Sequence, residues 1–222
     1  MTIALVTGQT AYATSTAASV TATLPNTPVT GNLVVAMWGV GHGSAPGLTV
    51  QDGNGVNFTA SASSPFLNTS TVISSIGIYG LVVPATPSKT VTITITGNIF
   101  AYDLFIAEFS GAATSSIFEI DGTHLQTTAV TSVVLPSITT TNNGDLLLAF
   151  VYTNSDISSA NSPWTGWAGG VPASGNYAEY LIQSTAGARA VNFTQTSGTC
   201  SSIEAAIKAS GTADVLQAQQ WL

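Results

Sequence analysis

Charged residues are scarce in this sequence. They make up 6% of the 222 residues, whereas a typical globular domain has about 25%. The three basic residues, Lys89, Arg189 and Lys208, are too few and too scattered to neutralise a run of phosphates. This argues against nucleic-acid binding, and it also disfavours attraction to anionic membranes.

The sequence also lacks long apolar runs and disulfide-forming cysteines. No segment approaches the 18 or more apolar residues of a membrane helix, and no basic stretch precedes an apolar one near Met1, so neither membrane insertion nor a signal peptide is expected. The single cysteine, Cys200, excludes an internal disulfide and is expected to fill space on a strand. This pattern fits a protein made in the cytosol and released in an assembly such as a virion. It also fits an export route without a visible signal.

Hydroxyl and apolar side chains take the place of charge. The chain contains 33 threonines and 25 serines, and hydrophobic residues make up 45% of it, too many for a disordered protein. Residues 90–96 alternate threonine with Val or Ile, as on a strand with one buried face. Residues 33–38 and 146–151 are continuous apolar runs typical of strands covered on both faces. The sequence therefore predicts an all-β, antiparallel fold.

The same series of strand motifs occurs twice, which predicts two pseudo-repeated halves at about 16–111 and 127–211. An extra hairpin in the first half, around Asp52-Gly53-Asn54-Gly55, explains the changing offset between the copies. The matched pieces are Val20–Pro25 with Val130–Pro136, Gly31–Ala36 with Gly144–Ala149, Tyr79 with Tyr180, and Ile106–Gly111 with Ala206–Gly211.

Two architectures follow from this repetition. The halves either interleave into one large β-sandwich of the jelly-roll type or form two tandem sandwiches of immunoglobulin size. The segment that joins them contains Ile117, Phe118, Ile120 and Leu125, which is too apolar for a free linker. We therefore expect one β-sandwich domain over residues 1–210, followed by a tail over 211–222.

Catalytic signals are weak, and we expect no catalytic residue, no metal site and no cofactor. His42 and His124 lie near glycines with no nucleophile elbow close by, so we expect solvent to satisfy them. Glu108 is a candidate general acid, because both faces of its strand are partly apolar. A structural pair with Lys208, its counterpart in the second half, is the alternative. Asp52–Gly55 resembles part of a calcium loop, but a hairpin turn accounts for it better.

Aromatic residues give the best binding signal. Trp164 and Trp167 lie in a glycine-rich segment where exposed indoles would stack on a sugar ring, and Asn161 and Tyr177 could bond to its hydroxyls. The alternative is that one or both tryptophans cap the core, as we expect for Trp38.

The tail is a candidate docking element. Its apolar side chains, Val215, Leu216, Trp221 and Leu222, could pack on a neighbouring subunit or on its own domain. This favours a homo-oligomer.

The strand motifs together resemble a β-sandwich module of bacteriophage virion proteins and bacterial surface proteins. The resemblance spans nearly the whole chain up to Ser210 and leaves the tail outside. It implies a non-enzymatic structural protein, such as a capsid decoration or fibre subunit, whose partners are other virion or surface-assembly proteins. Its place would be the virion, assembled in the host cytoplasm, or else the cell surface or exterior. The pieces that carry the resemblance are Thr21–Pro25, Gly31–Ala36, Val50–Thr59, Tyr79, Thr90–Thr96, Glu108–Gly111 and Gly144–Ala149.

Overall fold

The computed structural model of this protein confirms the all-β prediction. It describes residues 2–42, 47–70, 74–96, 99–167 and 175–211, without the side chains of residues 42, 99–102, 158 and 159. Every regular element in these ranges is a β-strand, and every strand pair is antiparallel. The seventeen described strands form four sheets.

The first half forms a large and a small sheet. The large sheet has the order β1-β9-β3-β7-β5, with β6 also paired to β7, and the small sheet has the order β2-β8-β4. The strands are β1 (Ala4–Ser15), β2 (Ser19–Thr23), β3 (Leu33–His42), β4 (Gly47–Asp52), β5 (Thr59–Ala60), β6 (Phe66–Asn68), β7 (Ser74–Val82), β8 (Thr90–Thr96) and β9 (Ile99–Ser110).

The second half also forms a large and a small sheet. The large sheet has the order β10-β17-β12-β15-β14, with β13 also paired to β17, and the small sheet consists of β11 and β16. The strands are β10 (Phe118–Val134), β11 (Ile138–Thr140), β12 (Asp145–Thr153), β13 (Ile157–Ala160), β14 (Thr165–Gly166), β15 (Tyr177–Gln183), β16 (Gly187–Arg189) and β17 (Asn192–Ile207).

The two large sheets arrange their strands in the same sequence. Taken in order across the sheet, β10, β17, β12, β15 and β14 occupy the places that β1, β9, β3, β7 and β5 hold in the first half. None of the sheets found among the described residues mixes strands from both halves. The interleaving that a jelly roll requires is therefore not seen in the described strands.

A central core joins the two large sheets face to face. It contains buried side chains from both halves, among them Phe105 and Phe109 of β9 and Phe150 of β12. The rings of Phe105 and Phe150 meet edge to face, with centroids 5.9 Å apart. Glycine permits a close approach here, because a Cβ atom at Gly39 would lie 2.7 Å from the Phe150 and Tyr152 rings. The molecule is thus a stack of two sandwiches that share an inner core.

Each large sheet also buries its outer face. In the first half the small sheet covers a core that includes Trp38 and Tyr79, whose ring centroids are 6.1 Å apart. In the second half the cover comes from β11, β13 and the far ends of β10 and β17, which contribute Val133 and Phe193. Both faces of each central strand are therefore buried, as the continuous apolar runs predicted.

The repeating unit begins earlier than the sequence predicted. β1 pairs with β9 from Ala4 to Ser15, and the first part of β10 pairs with β17 from Phe118 to Gln126. The predicted halves at 16–111 and 127–211 omit β1 and the first part of β10. Each is an edge strand with a register shift, which breaks the alternation that a pattern search detects.

Strand pairing also corrects the alignment of the halves. Ala36 of β3 pairs with Tyr79 and Ile106, and its counterpart Ala149 of β12 pairs with Glu179 and Glu204. The structural counterpart of Tyr79 is thus Glu179 rather than Tyr180. Two acids in the second half replace apolar side chains of the first.

We predict that Trp167 stabilises the contact between the halves. Its indole packs edge to face on Phe109 at 5.8 Å, and its Nε1 donates to the Ile106 carbonyl at 3.2 Å. Trp167→Ala should lower the free energy of unfolding by about 3–5 kcal/mol, because it leaves a cavity in the shared core. Denaturant unfolding measures this loss, and Val29→Ala at a 60% exposed position is the control, with an expected change within about 0.5 kcal/mol. A Trp167→Ala loss no larger than that of the control would contradict the role.

Candidate functional site

The prediction that Trp164 and Trp167 form a sugar-binding surface is wrong, because both side chains are buried. Trp164 is 7% exposed and Trp167 is 4% exposed, so neither indole offers a face for stacking. Trp164 packs in the outer core of the second half, and its Nε1 donates to the Ala190 carbonyl at 3.3 Å. Both side chains instead belong to the hydrophobic core, which was the alternative expectation.

The predicted polar partners of that surface have structural contacts instead. The Tyr177 hydroxyl accepts a bond from the Ala160 amide at 3.2 Å, and its ring packs on Phe193. Asn161 donates to the Asn192 carbonyl and to Thr194 Oγ1. These bonds fix the edge of the second half. The predicted interface residues Val215, Leu216, Trp221 and Leu222 lie outside the described residues.

Glu108 is buried and its carboxylate is fully engaged. It accepts hydrogen bonds from Gln9 Nε2 at 2.7 Å, from the Val29 amide at 2.8 Å and from Asn32 Nδ2 at 2.6 Å. These donors hold the turn that leads into β3. The carboxylate therefore anchors this turn instead of facing a substrate. Lys208 does not pair with it but lies near Glu119.

The remaining sequence candidates also have local roles. Asp52 Oδ1 accepts bonds from the Asn54 and Val56 amides, which closes the predicted hairpin turn. His124 is half-buried on β10 with Nε2 3.3 Å from Gln126 Oε1, whereas the side chain of His42 is not described. Cys200 is buried on β17, and burial raises the pKa of its thiol to about 12.

Sequence reasoning missed two buried glutamates. Glu179 and Glu204 flank Ala149 on the neighbouring strands and are fully buried on the outer face of the large sheet. Two strand spacings separate their backbones by about 10 Å. The sequence did contain a signal, which is a single acid inside each of two apolar strands. The repeats were misaligned, however, so it was not visible that Glu179 and Glu204 replace the apolar residues Tyr79 and Ile106.

Within the described parts of the chain, neither glutamate finds a hydrogen-bond partner. Both oxygens of each are buried and unpaired. A Cβ atom added at Gly122, opposite Glu204, would lie 3.3 Å from Glu204 Oε1, and 3.8 Å from Ile138 of the covering strand β11. Burial raises the pKa of each glutamate to about 8, because the charged form would lose its hydration. At neutral pH both are uncharged acids closed off from solvent.

A second acidic pair lies where β12 begins. Burial and a hydrogen bond with Glu119 raise the pKa of Asp145 to about 6. Burial also acts on Glu119, but hydrogen bonds from Thr141 and Asp145 outweigh it and lower the pKa of this residue. The contact between the two carboxyls thus shifts their pKa values in opposite directions, upward for Asp145 and downward for Glu119. Asp145 Oδ1 also accepts a bond from the Ala209 amide at 2.8 Å, so the pair fastens the end of β17.

A third buried acid lies between the halves. Asp103 of β9 accepts hydrogen bonds from Tyr12 and from Asn176 of the second half. Burial raises the pKa of Asp103, although both hydrogen bonds oppose this shift. The acid therefore joins the halves through a polar contact beside the shared core.

One cleft opens beside the connection between the halves. It has a volume of about 510 Å³, within the range of ligand sites. Its walls are the β5–β7 edge of the first half and the connecting segment Thr114–Phe118, and none of the described residues lining it is ionisable. The cleft is suited to uncharged or apolar groups.

No group of three or more metal-ligating side chains occurs among the described residues. In the same part of the chain, no helix suitable for crossing a bilayer is found. Compared with known proteins, the chain matches no family model, and no curated protein or solved structure is significantly similar to it.

We predict that this protein is more stable in mild acid than in mild base. Glu179 and Glu204 bind protons more tightly when folded, so the stability they contribute is complete below their unfolded pKa of about 4.5 and is lost as the pH rises through 8. The free energy of unfolding should fall by roughly 3 kcal/mol or more between pH 5 and pH 9. Chemical denaturation at both pH values measures the fall.

The controls compare slopes with pH rather than absolute stabilities. Glu179→Gln with Glu204→Gln should remove most of the pH dependence in this range. Asp156→Asn, at an exposed acid, should leave it unchanged. Equal slopes in all three proteins would refute the assignment to the buried pair.

Proposed function

We propose that this protein is a non-enzymatic structural subunit of an extracellular assembly, and specifically a bacteriophage virion component of the capsid-decoration or fibre type. The strand motifs that resemble virion and surface modules are the starting point. The properties of the surface and of the sheet edges carry the argument further.

The surface carries very little charge. Six of the ten acids are buried. Among the described residues the exposed charges are Lys89, Asp156 and Arg189. A surface of short hydroxyl side chains loses little rotamer entropy when a neighbour orders it, and its low charge offers little repulsion between copies. Such a surface is suited to contact with neighbouring subunits.

The observation that supports the proposal best is a pair of long edge strands. Among the described strands, β1 pairs only with β9, and β10, with seventeen residues, pairs only with β17. β1 contains no charged residue, and the only charges of β10 are Glu119 and Asp121 near its start. Neither strand contains the lysine or proline with which soluble proteins usually protect an edge. Both edges are therefore suited to pairing with a strand from a neighbour.

The buried acids lie in both halves of the molecule: Asp52, Asp103, Glu108, Asp145, Glu179 and Glu204.

We predict that the edge of β10 mediates self-association. Thr128→Lys places a charge at an exposed position of this edge strand, whereas Thr94→Lys places the same charge on the exposed face of β8, which has a partner on each side. Sedimentation velocity over a concentration series should show association of the unmodified chain. Thr128→Lys should weaken it at least tenfold and Thr94→Lys should not.

Two results would contradict the proposal. An unmodified chain that stays monomeric at high concentration and does not bind purified capsids or filaments of its source would remove its support. Flanking genes for metabolic enzymes, instead of capsid or tail proteins, would argue against the virion assignment.

A further inference from the structure

The last described residues of the chain lie next to the cleft between the halves. The Ser210 amide donates to the Gly111 carbonyl at 2.7 Å, and the Ala113 amide donates to the Lys208 carbonyl at 2.9 Å. Ala112 and Ala209 form a β-bridge between these bonds. The wall of the cleft starts at Thr114, one residue beyond Ala113. Gly211 therefore lies within a few residues of the cleft, and the chain continues from there.

The segment that follows is long enough to reach across the cleft. Residues 212–222 comprise eleven residues, which span up to about 35 Å when extended. A short connection between a segment and its site gives a high effective concentration. Reach is therefore no obstacle to docking on the same copy.

The chemistry of the segment matches that of the cleft. The segment has a single ionisable side chain, Asp214, and four large apolar ones, Val215, Leu216, Trp221 and Leu222. The cleft combines apolar residues such as Leu81 and Phe118 with hydroxyls such as Ser115, and the described lining has no ionisable group. Its volume of about 510 Å³ is enough for more than one side chain.

We propose that residues 212–222 dock in the cleft of their own chain and bury their apolar side chains between Thr114–Phe118 and the β5–β7 edge. The segment thereby covers an apolar part of the surface beside the connection of the halves. This inference does not depend on the proposed function, because it concerns a single copy.

Disulfide trapping in the full chain tests the proposal. Ser115→Cys places a thiol on the wall of the cleft, and Gln219→Cys places one in the segment. Native Cys200 can remain, because it is buried and its thiol pKa is about 12. Mild oxidation at low protein concentration, followed by non-reducing electrophoresis and peptide mapping, should show a disulfide within one chain.

The matched control separates docking from mere proximity. It keeps both cysteines and adds Val215→Ala, Leu216→Ala, Trp221→Ala and Leu222→Ala, so the reach is the same but the apolar groups are gone. Cross-linking should be at least tenfold slower in this control. It should also be at least tenfold slower when the first cysteine is moved to exposed Ser19, which follows the far end of β1.

Two outcomes would overturn the proposal. Equal rates in the trapping variant and the alanine control would mean that the segment is near the cleft but not bound in it. Cross-linked dimers in place of monomers would mean that the cleft takes the segment of a second copy. Self-association through the β10 edge is a separate measurement, so its failure would leave this test unaffected.

Discussion

Face-to-face packing of two large sheets is the contact on which the rest of the molecule depends. Each half alone is a small sandwich whose larger sheet would expose one apolar face to water. Stacking the halves buries both faces in a single core, where Phe105, Phe109 and Phe150 meet. Apolar burial supplies the main stabilisation, and polar contacts such as Asp103 with Asn176 and Asn68 with Ser201 fix the relative position of the halves.

The two halves have kept one topology but changed the chemistry of their outer cores. In the first half Tyr79 packs against Trp38 under a three-stranded cover. In the second half the corresponding position holds Glu179, and Val151 lies where Trp38 would be. A neutral carboxylic acid fills space there at a cost in desolvation. The acids thus lie inside, and the surface is left to uncharged side chains.

Much of the fold could be predicted from sequence because its signals are local. Alternation over residues 90–96, apolar runs at 33–38 and 146–151, and the turn at Asp52–Gly55 each depend on a few consecutive residues, and the structure contains them all. The edge strands β1 and β10 were harder to predict, because their bulges interrupt the alternation of apolar and polar residues. The pairing of Glu179 and Glu204 with Ala149 could not be predicted, since register depends on contacts between distant strands. The burial of Trp164 and Trp167 could not be predicted from the local sequence either, because a glycine-rich segment accommodates either a surface or a buried indole.

Three segments of the backbone, at Thr2, Gly111 and Ser210, lie close together where the halves join. Gly111 adopts a positive φ of 78°, and a Cβ atom there would lie 2.6 Å from the Thr2 carbonyl oxygen. Its own carbonyl accepts the bond from Ser210. Thr2 and Ser210 therefore both lie beside Gly111, in the linker that separates the repeats. A circular permutation that joined these two positions and opened the chain within residues 112–116 would reverse the order of the halves along the polypeptide, while every strand kept its neighbours.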